Sequence, residues 1–235
     1  VTEPSATVRA AGPTSLGRFA ALRPFVPYAA VAVVHIVALA AGWAELAHAT
    51  KWILMPLLAV GFVLALRPRR GSGLGAAAVT TLVAIGLSWL GDVVIDVPGD
   101  STFVLGLLAF LLAHLVYIGA FVGPLRLRRT PRWALVYAVW FVVFLLVLAP
   151  HLGALLVPVA VYGLVLGAMA LTATRGGAVL ASGGALFVLS DTLLALGRFL
   201  PGFDFPLKDA VIMTAYLGAQ ALIAIGVARL VRRSG

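Results

Sequence analysis

Asp92 and Asp191 are the residues whose type and setting could do chemistry. Each closes a short polar cluster inside a long apolar stretch, Ser88-Trp89-Leu90-Gly91-Asp92 in one case and Leu189-Ser190-Asp191 in the other. An ionisable group in hydrocarbon costs roughly 2.5–3.5 kcal/mol on insertion scales, so it normally faces the interior of a bundle and marks a site. Two carboxyls that meet away from water hold their protons unequally. One can then act as an acid while the other stabilises positive charge or activates water. Further polar groups fall within reach of that zone: Lys51, His114 with Tyr117 about one turn deeper, Tyr162, Ser190, and Tyr216 with Gln220. The last two are i and i+4 and share a helix face.

Other chemistries lack their residues. There is no cysteine, hence no thiolate nucleophile and no Cys-ligated metal. The four histidines, His35, His48, His114 and His151, are scattered, with no His-x-x-x-His or His-Glu-x-x-His pair. No metal site is expected from such a pattern. Neither a Gly-x-Ser-x-Gly elbow nor a P-loop occurs, and no cofactor is expected.

The elements that must position these groups follow from composition. Of 235 residues 63% are hydrophobic and 11% charged, and mean hydropathy is +1.12. Soluble globular chains run near 45–50% apolar and about 25% charged. A water-soluble domain, a disordered tail and a disulfide scaffold are excluded. The apolar runs are continuous and do not alternate, which fits a transmembrane β-barrel poorly. The expected fold is all-α, a polytopic membrane bundle of eight transmembrane helices. The predicted spans are Pro27–Trp43, Trp52–Leu66, Leu74–Ile95, Phe103–Val122, Trp133–Leu148, Leu152–Ala173, Ala178–Leu196 and Ala210–Leu230. Residues 1–24, rich in Ala, Pro, Ser and Thr, read as a flexible cytoplasmic arm, and 25–235 as one membrane domain. The first apolar run is long enough to stay as a span rather than serve as a cleaved signal.

The basic residues give the orientation. Arg9, Arg18, Arg23, Arg67, Arg69, Arg70, Arg126, Arg128, Arg129, Arg132, Arg175, Arg229, Arg232 and Arg233 fall on one side of these spans. Only Lys51, Arg198 and Lys208 fall on the other. The positive-inside bias then places both termini in the cytoplasm, as an even number of spans requires, in what is expected to be a bacterial inner membrane. The net charge of +9 is thus a topology signal and not a nucleic-acid footprint. Asp96, Asp100, Asp204 and Asp209 read as solvated charge in or beside outer loops, and Lys51 as the start of the second span. Gly119-x-x-x-Gly123 and Gly163-x-x-x-Gly167 fit close helix packing.

The second half echoes the first. Pro56, Gly61 and Leu64 recur as Pro158, Gly163 and Leu166 at the same spacing. Two parallel four-helix halves, 25–130 and 131–235, would put Asp92 and Asp191 on related helices facing each other. At 1.5 Å per residue, Asp191 lies about 20 Å and Asp92 about 24 Å from the cytoplasmic ends of their helices, so Asp92 is expected nearer water. Intramembrane acids in duplicated halves also suit a small proton-coupled transporter or permease.

Together these residues resemble a known family. The stretches are Thr50-Lys51-Trp52-Ile53-Leu54-Met55-Pro56, Ser88-Trp89-Leu90-Gly91-Asp92, His114-Leu115-Val116-Tyr117, Tyr162-Gly163-Leu164, Leu189-Ser190-Asp191 and Tyr216-Leu217-Gly218-Ala219-Gln220. In this order they resemble the YhhN-type lysoplasmalogenases, multispan membrane hydrolases. Trp52 after Lys51 departs from the Lys-Pro expected there. The resemblance implies hydrolysis of the vinyl ether bond of a lysophospholipid, the lysoplasmalogen, to a fatty aldehyde and a glycerophospho-base. It also implies Asp92 and Asp191 as the first candidates for catalysis. On this reading Asp191, the deeper of the two, is the acid and Asp92 the stabilising carboxylate. Lys51 and outer-side tyrosines would hold the phosphate or glycerol end.

Overall fold

The computed structural model of the chain describes residues 22–66, 74–125 and 129–234, and its regular elements are all helical. Hydrocarbon offers backbone N–H and C=O groups no partner, so long apolar runs satisfy them within their own helix. The α-helices among the described residues are α1 (Val26–Ala40), α2 (Ala44–Leu66), α3 (Ala76–Ile95), α4 (Asp100–Val122), α5 (Val136–Leu152), α6 (Leu156–Ala173), α7 (Ala178–Phe199) and α8 (Lys208–Ser234). The connections after α3, α5 and α7 gather at one end of the bundle. There Lys51 meets Asp96, Phe103 meets Phe199, and Leu155 and Leu200 share an apolar cluster.

Among the described residues seven stretches are long and apolar enough to cross a membrane, against the eight expected. The difference lies in Arg132–Gly176, a run of 45 residues that contains both α5 and α6. The two helices pack on each other and are joined by a 3-10 turn, Gly153–Leu155. Gly153 has φ +50°, a left-handed backbone that glycine adopts without a Cβ penalty.

Helix starts differ from the hydropathy reading where polar residues open them. α2 begins at Ala44, so Lys51 stands inside the helix and not at its start, and Pro56 lies within the helix as well. Glu45, His48 and Lys51 depress the apolar signal over these first turns without breaking the helix. The expected arm lies outside the described residues as far as 21, as do Arg67, Arg69, Arg70, Arg126 and Arg128. Its end is packed: Arg23–Phe25 forms a 3-10 turn, and the Pro24 carbonyl lies 2.7 Å from where a Cβ on Gly61 would stand.

The core runs along α8, the most enclosed of the helices. Leu54, Leu58, Phe62, Phe121, Met169, Leu180, Phe187 and Ile223 fill it. Outward-facing Val, Leu and Trp side chains, among them Leu146, Val157 and Leu164, remain exposed on the bundle surface, as a lipid-facing exterior demands. The two small-residue motifs part company. Gly163 and Gly167 admit the rings of Phe144 and Trp140 from α5, whereas Gly119 faces open space and supports no close helix contact.

Candidate active site

Gly91 and Asp92 build the first half of the site together. A Cβ on Gly91 would stand 2.7 Å from the Phe110 ring, so glycine there lets α4 lie against the backbone of α3. Phe110 in turn meets Tyr216 of α8 edge-on, with ring centroids 5.9 Å apart. This packing brings the Tyr216 hydroxyl to Asp92, where it donates to Oδ2 at 2.7 Å. Behind Tyr216, Gln220 donates through Nε2 to the Tyr216 hydroxyl at 3.4 Å, and Tyr117 donates to Gln220 Oε1 at 2.7 Å. Three donors in series thus point from α4 and α8 at one carboxylate oxygen.

The second half is simpler. Tyr162 of α6 donates its hydroxyl to Asp191 Oδ2. Tyr162 is held edge-on against His114, and His114 against Phe187. The Nδ1 of His114 lies 2.6 Å from the Phe110 carbonyl, and its Nε2 is buried without a partner among the described residues. Ser190 donates to the Ile212 carbonyl at 3.1 Å and ties α7 to α8.

Asp92 and Asp191 face a single cavity of about 470 Å³. Its walls are mainly apolar, including Leu107, Phe110, Phe144, Val159 and Leu166, and its rim carries Lys51, Arg198 and Lys208. Of the expected substrate-binding residues, Lys51, Tyr162, Ser190 and Tyr216 line this cavity. His114, Tyr117 and Gln220 are fully buried behind the wall and support the two tyrosines. Asp92, expected nearer water, is the more enclosed acid at 6% exposure, while Asp191 is partly exposed. The two acids are also held by non-equivalent helices, Asp92 by α8 and Asp191 by α6.

Several groups at this end went unread in the sequence. Asp96 is not solvated loop charge: Lys51 donates to its Oδ1, His48 Nδ1 lies 3.3 Å from its Oδ2, and its side chain is only 23% exposed. Its i+4 spacing from Asp92 was the available signal, since it puts both acids on one helix face. Arg198 pairs with Asp100 at 2.8 Å and lies 3.9 Å over the Phe103 ring. Lys208 pairs with Asp204 at 2.9 Å. Asp204 lies outside the spans, and this lysine holds its carboxyl below the ordinary range, by hydrogen bond first and charge second. Asp209 stands at the rim of the cavity. Among the described residues no three His, Cys, Asp or Glu side chains converge as metal ligands would.

The YhhN family matches residues 46–227, which holds every group just described as lining or supporting the cavity between Lys51 and Gln220. The chain belongs to the YhhN family. This YhhN chain is 37% identical over 161 residues to a lysoplasmalogenase of Mycobacterium bovis, a match covering 61% of this chain and 58% of that protein. It is 36% identical over 148 residues to the human lysoplasmalogenase TMEM86B, covering 62% of each. With human lysoplasmalogenase TMEM86A it shares 32% identity over 187 residues, covering 74% of this chain and 72% of the relative. The matches to the mycobacterial protein and to TMEM86B thus span somewhat less than two thirds of those relatives. No solved structure matches the chain. Family membership and the seven apolar stretches long enough to cross a bilayer make it an integral membrane protein.

Proposed function

We propose that this YhhN protein is a membrane-embedded hydrolase that cleaves the vinyl ether bond of lysoplasmalogens by carboxylic acid catalysis, without a metal. One observation carries the reading: two aspartates from different helices, each tied to a tyrosine hydroxyl by one oxygen, face the same largely apolar cavity. The names of the relatives supply the substrate class.

The reaction needs an acid and a negative charge. The protonated carboxyl of Asp191 transfers its proton to the β-carbon of the vinyl ether, which leaves an oxocarbenium cation at the α-carbon. Asp92, as carboxylate, stabilises that cation and then takes a proton from the water that adds to it. The hemiacetal so formed collapses to a fatty aldehyde and the free glycerol hydroxyl of the glycerophospho-base as Asp92 gives its proton to the departing glycerol oxygen and Asp191 takes the hemiacetal hydroxyl proton, which restores both acids. Protons balance over the cycle, with one water consumed. The division of roles follows the surroundings of each acid. The donor series through Tyr117, Gln220 and Tyr216 ends on Asp92 and suits an acceptor that stays charged. Asp191 has one such donor and is the more open to the cavity, where a substrate can touch it.

The rim lies at the end where the connections after α3, α5 and α7 gather, and the positive-inside bias of the sequence assigns that end to the outer face of a bacterial inner membrane with both chain termini in the cytoplasm. Purified protein in detergent, given lysoplasmalogen, is assayed for fatty aldehyde. Asp92→Asn and Asp191→Asn each lower release at least a hundredfold while the protein stays folded, and chelator changes nothing. Near-normal turnover in either variant removes that residue from the mechanism. Substrate flux across liposomes without any aldehyde would instead make the protein a carrier.

A further inference from the structure

Arg198 and Lys208 have no part in the chemistry above, yet both line the rim of the cavity. Their acidic partners do not. Asp100 and Asp204 stand away from the cavity wall, with side chains 89% and 78% exposed. Exposed pairs of this kind hold little energy, so each cation can exchange its carboxylate for another anion at small cost. Lys51 differs: its side chain and that of Asp96 are 15% and 23% exposed, and His48 joins them. That cluster is committed to itself.

The two rim cations are brought together by a glycine. The stem of Lys208 lies over Gly197, with Cδ 3.2 Å and Nζ 3.6 Å from where a Cβ would stand. Arg198 follows Gly197 in the chain, and its guanidinium rests on the Phe103 face, which fixes its direction. Arg198 is also seven residues beyond Asp191 on α7, two turns along nearly the same face and roughly 10 Å farther out. In a lysoplasmalogen, seven bonds separate the vinyl ether β-carbon from phosphorus, about 9 Å when extended. A substrate with its vinyl ether at Asp191 therefore carries its phosphate to the level of Arg198.

We propose that Arg198 and Lys208 form the phosphate subsite of this cavity, recognising the singly charged phosphodiester of a lysolipid. The assignment rests on the lysolipid reading of the site. Charge at the rim narrows the head group further. Asp96 and Asp209 line the same rim, and Asp100 and Asp204 stand just outside it. Against Lys51, Arg198 and Lys208 these four carboxylates leave no positive excess, which suits a zwitterionic head and disfavours a dianionic phosphomonoester.

The test separates this subsite from the hydrolysis. Full-length protein in neutral-lipid nanodiscs is titrated with two uncleavable probes, 1-O-alkyl-glycero-3-phosphocholine and 1-O-alkylglycerol of equal chain length. The wild type binds the phosphorylated probe about tenfold more tightly, as two partly screened charge-assisted contacts imply. Arg198→Gln/Lys208→Gln loses that preference and keeps its affinity for the alkylglycerol within twofold. Lys208→Gln alone loses about half of it on a logarithmic scale, which covers the case of a misfolded double variant. Asp204→Asn, which removes the competing carboxylate, holds or raises the preference. A wild type with no preference, or a double variant that keeps it, overturns the subsite. A preference that vanishes as described, in a protein that releases no aldehyde from the vinyl ether, sustains the subsite and refutes the hydrolase reading instead.

Discussion

The series of donors ending on Asp92 makes a graded prediction. Tyr216→Phe removes the hydroxyl that donates to Asp92 Oδ2 at 2.7 Å and fills the same space with the same ring. A hydrogen bond to a charged group is worth about 1.5–3 kcal/mol. If that bond holds negative charge on Asp92 while the cation forms, its loss falls on the transition state. At 1.36 kcal/mol per decade the rate drops by roughly 10- to 150-fold. Tyr117→Phe removes a bond of equal length, but between neutral groups, and it reaches Asp92 only through the 3.4 Å contact from Gln220 to Tyr216. A neutral bond is worth about 1 kcal/mol, and only part of that passes on, so kcat falls less than about threefold. Aldehyde release under saturating lysoplasmalogen gives both values, with size-exclusion elution and helical circular dichroism as folding controls. KM moves little in either variant, because each hydroxyl points at a protein group and not into the cavity. A folded Tyr216→Phe protein within twofold of wild type, or a Tyr117→Phe protein as slow as Tyr216→Phe, refutes the claim that these donors serve Asp92.

Other perturbations follow from single contacts. Lys51→Met strands Asp96 with only His48 and lowers stability by about 1–2 kcal/mol, a loss less than that of a fully buried pair because both side chains keep some exposure; denaturation in mixed micelles measures it, and no loss would mean that the pair contributes nothing. Gly91→Ala drives a Cβ into the Phe110 ring at 2.7 Å, displaces Tyr216 from Asp92, and lowers kcat together with thermal stability, so a fully active Gly91→Ala protein would show that the ring yields freely. The Asp204–Lys208 pair sets a pH dependence of known sign. Because the folded-state pKa of Asp204 is depressed, its contribution is present above the ordinary carboxylate value near 3.9 and lost as pH falls through the lowered one. Asp204→Asn gives up that contribution at neutral pH and with it the acid-side loss, so the two proteins differ at pH 7 and converge toward pH 3, which thermal melts across that range resolve.

The bundle was legible because hydrocarbon leaves so few choices. A run such as the one around Phe110 or Leu166 has to be a helix, and an aspartate within such a run has to face inward. The polar helix starts were not legible by the same rule. Hydropathy sees Glu45, His48 and Lys51 as loop, while helix geometry needs only that they share the bundle's wet end, where Asp96 collects His48 and Lys51. Non-local partners were illegible for a different reason. Tyr216 and Asp92 are 124 residues apart, and Arg198 and Asp100 are 98 apart, so no spacing rule connects them. What could have been read was local: the i+4 step from Asp92 to Asp96, the i+7 step from Asp191 to Arg198, and the glycine before Asp92.

Depth along a helix and enclosure are separate quantities, and the two acids show why that matters for assigning an acid. Asp92 lies three residues from the end of α3, yet Phe110 and Tyr216 close over it. Asp191 lies eight residues from the end of α7, yet it keeps partial exposure because the cavity reaches down to it. A proton donor must touch the carbon it protonates, and only a group open to the cavity can do so. A stabilising carboxylate works through charge and gains from a dry, fixed setting with donors already in place. The donors on Asp92 therefore favour it as the charged partner against the cost of its enclosure, and access to the cavity favours Asp191 as the proton donor, the same assignment that depth alone suggests but for a different physical reason. Loss of the two helpers is therefore unequal: Tyr162→Phe, which frees Asp191 of its tyrosine donor, is expected to slow turnover less than Tyr216→Phe slows it through Asp92. If Tyr162→Phe proves the more harmful of the two, the acid and its partner must be interchanged.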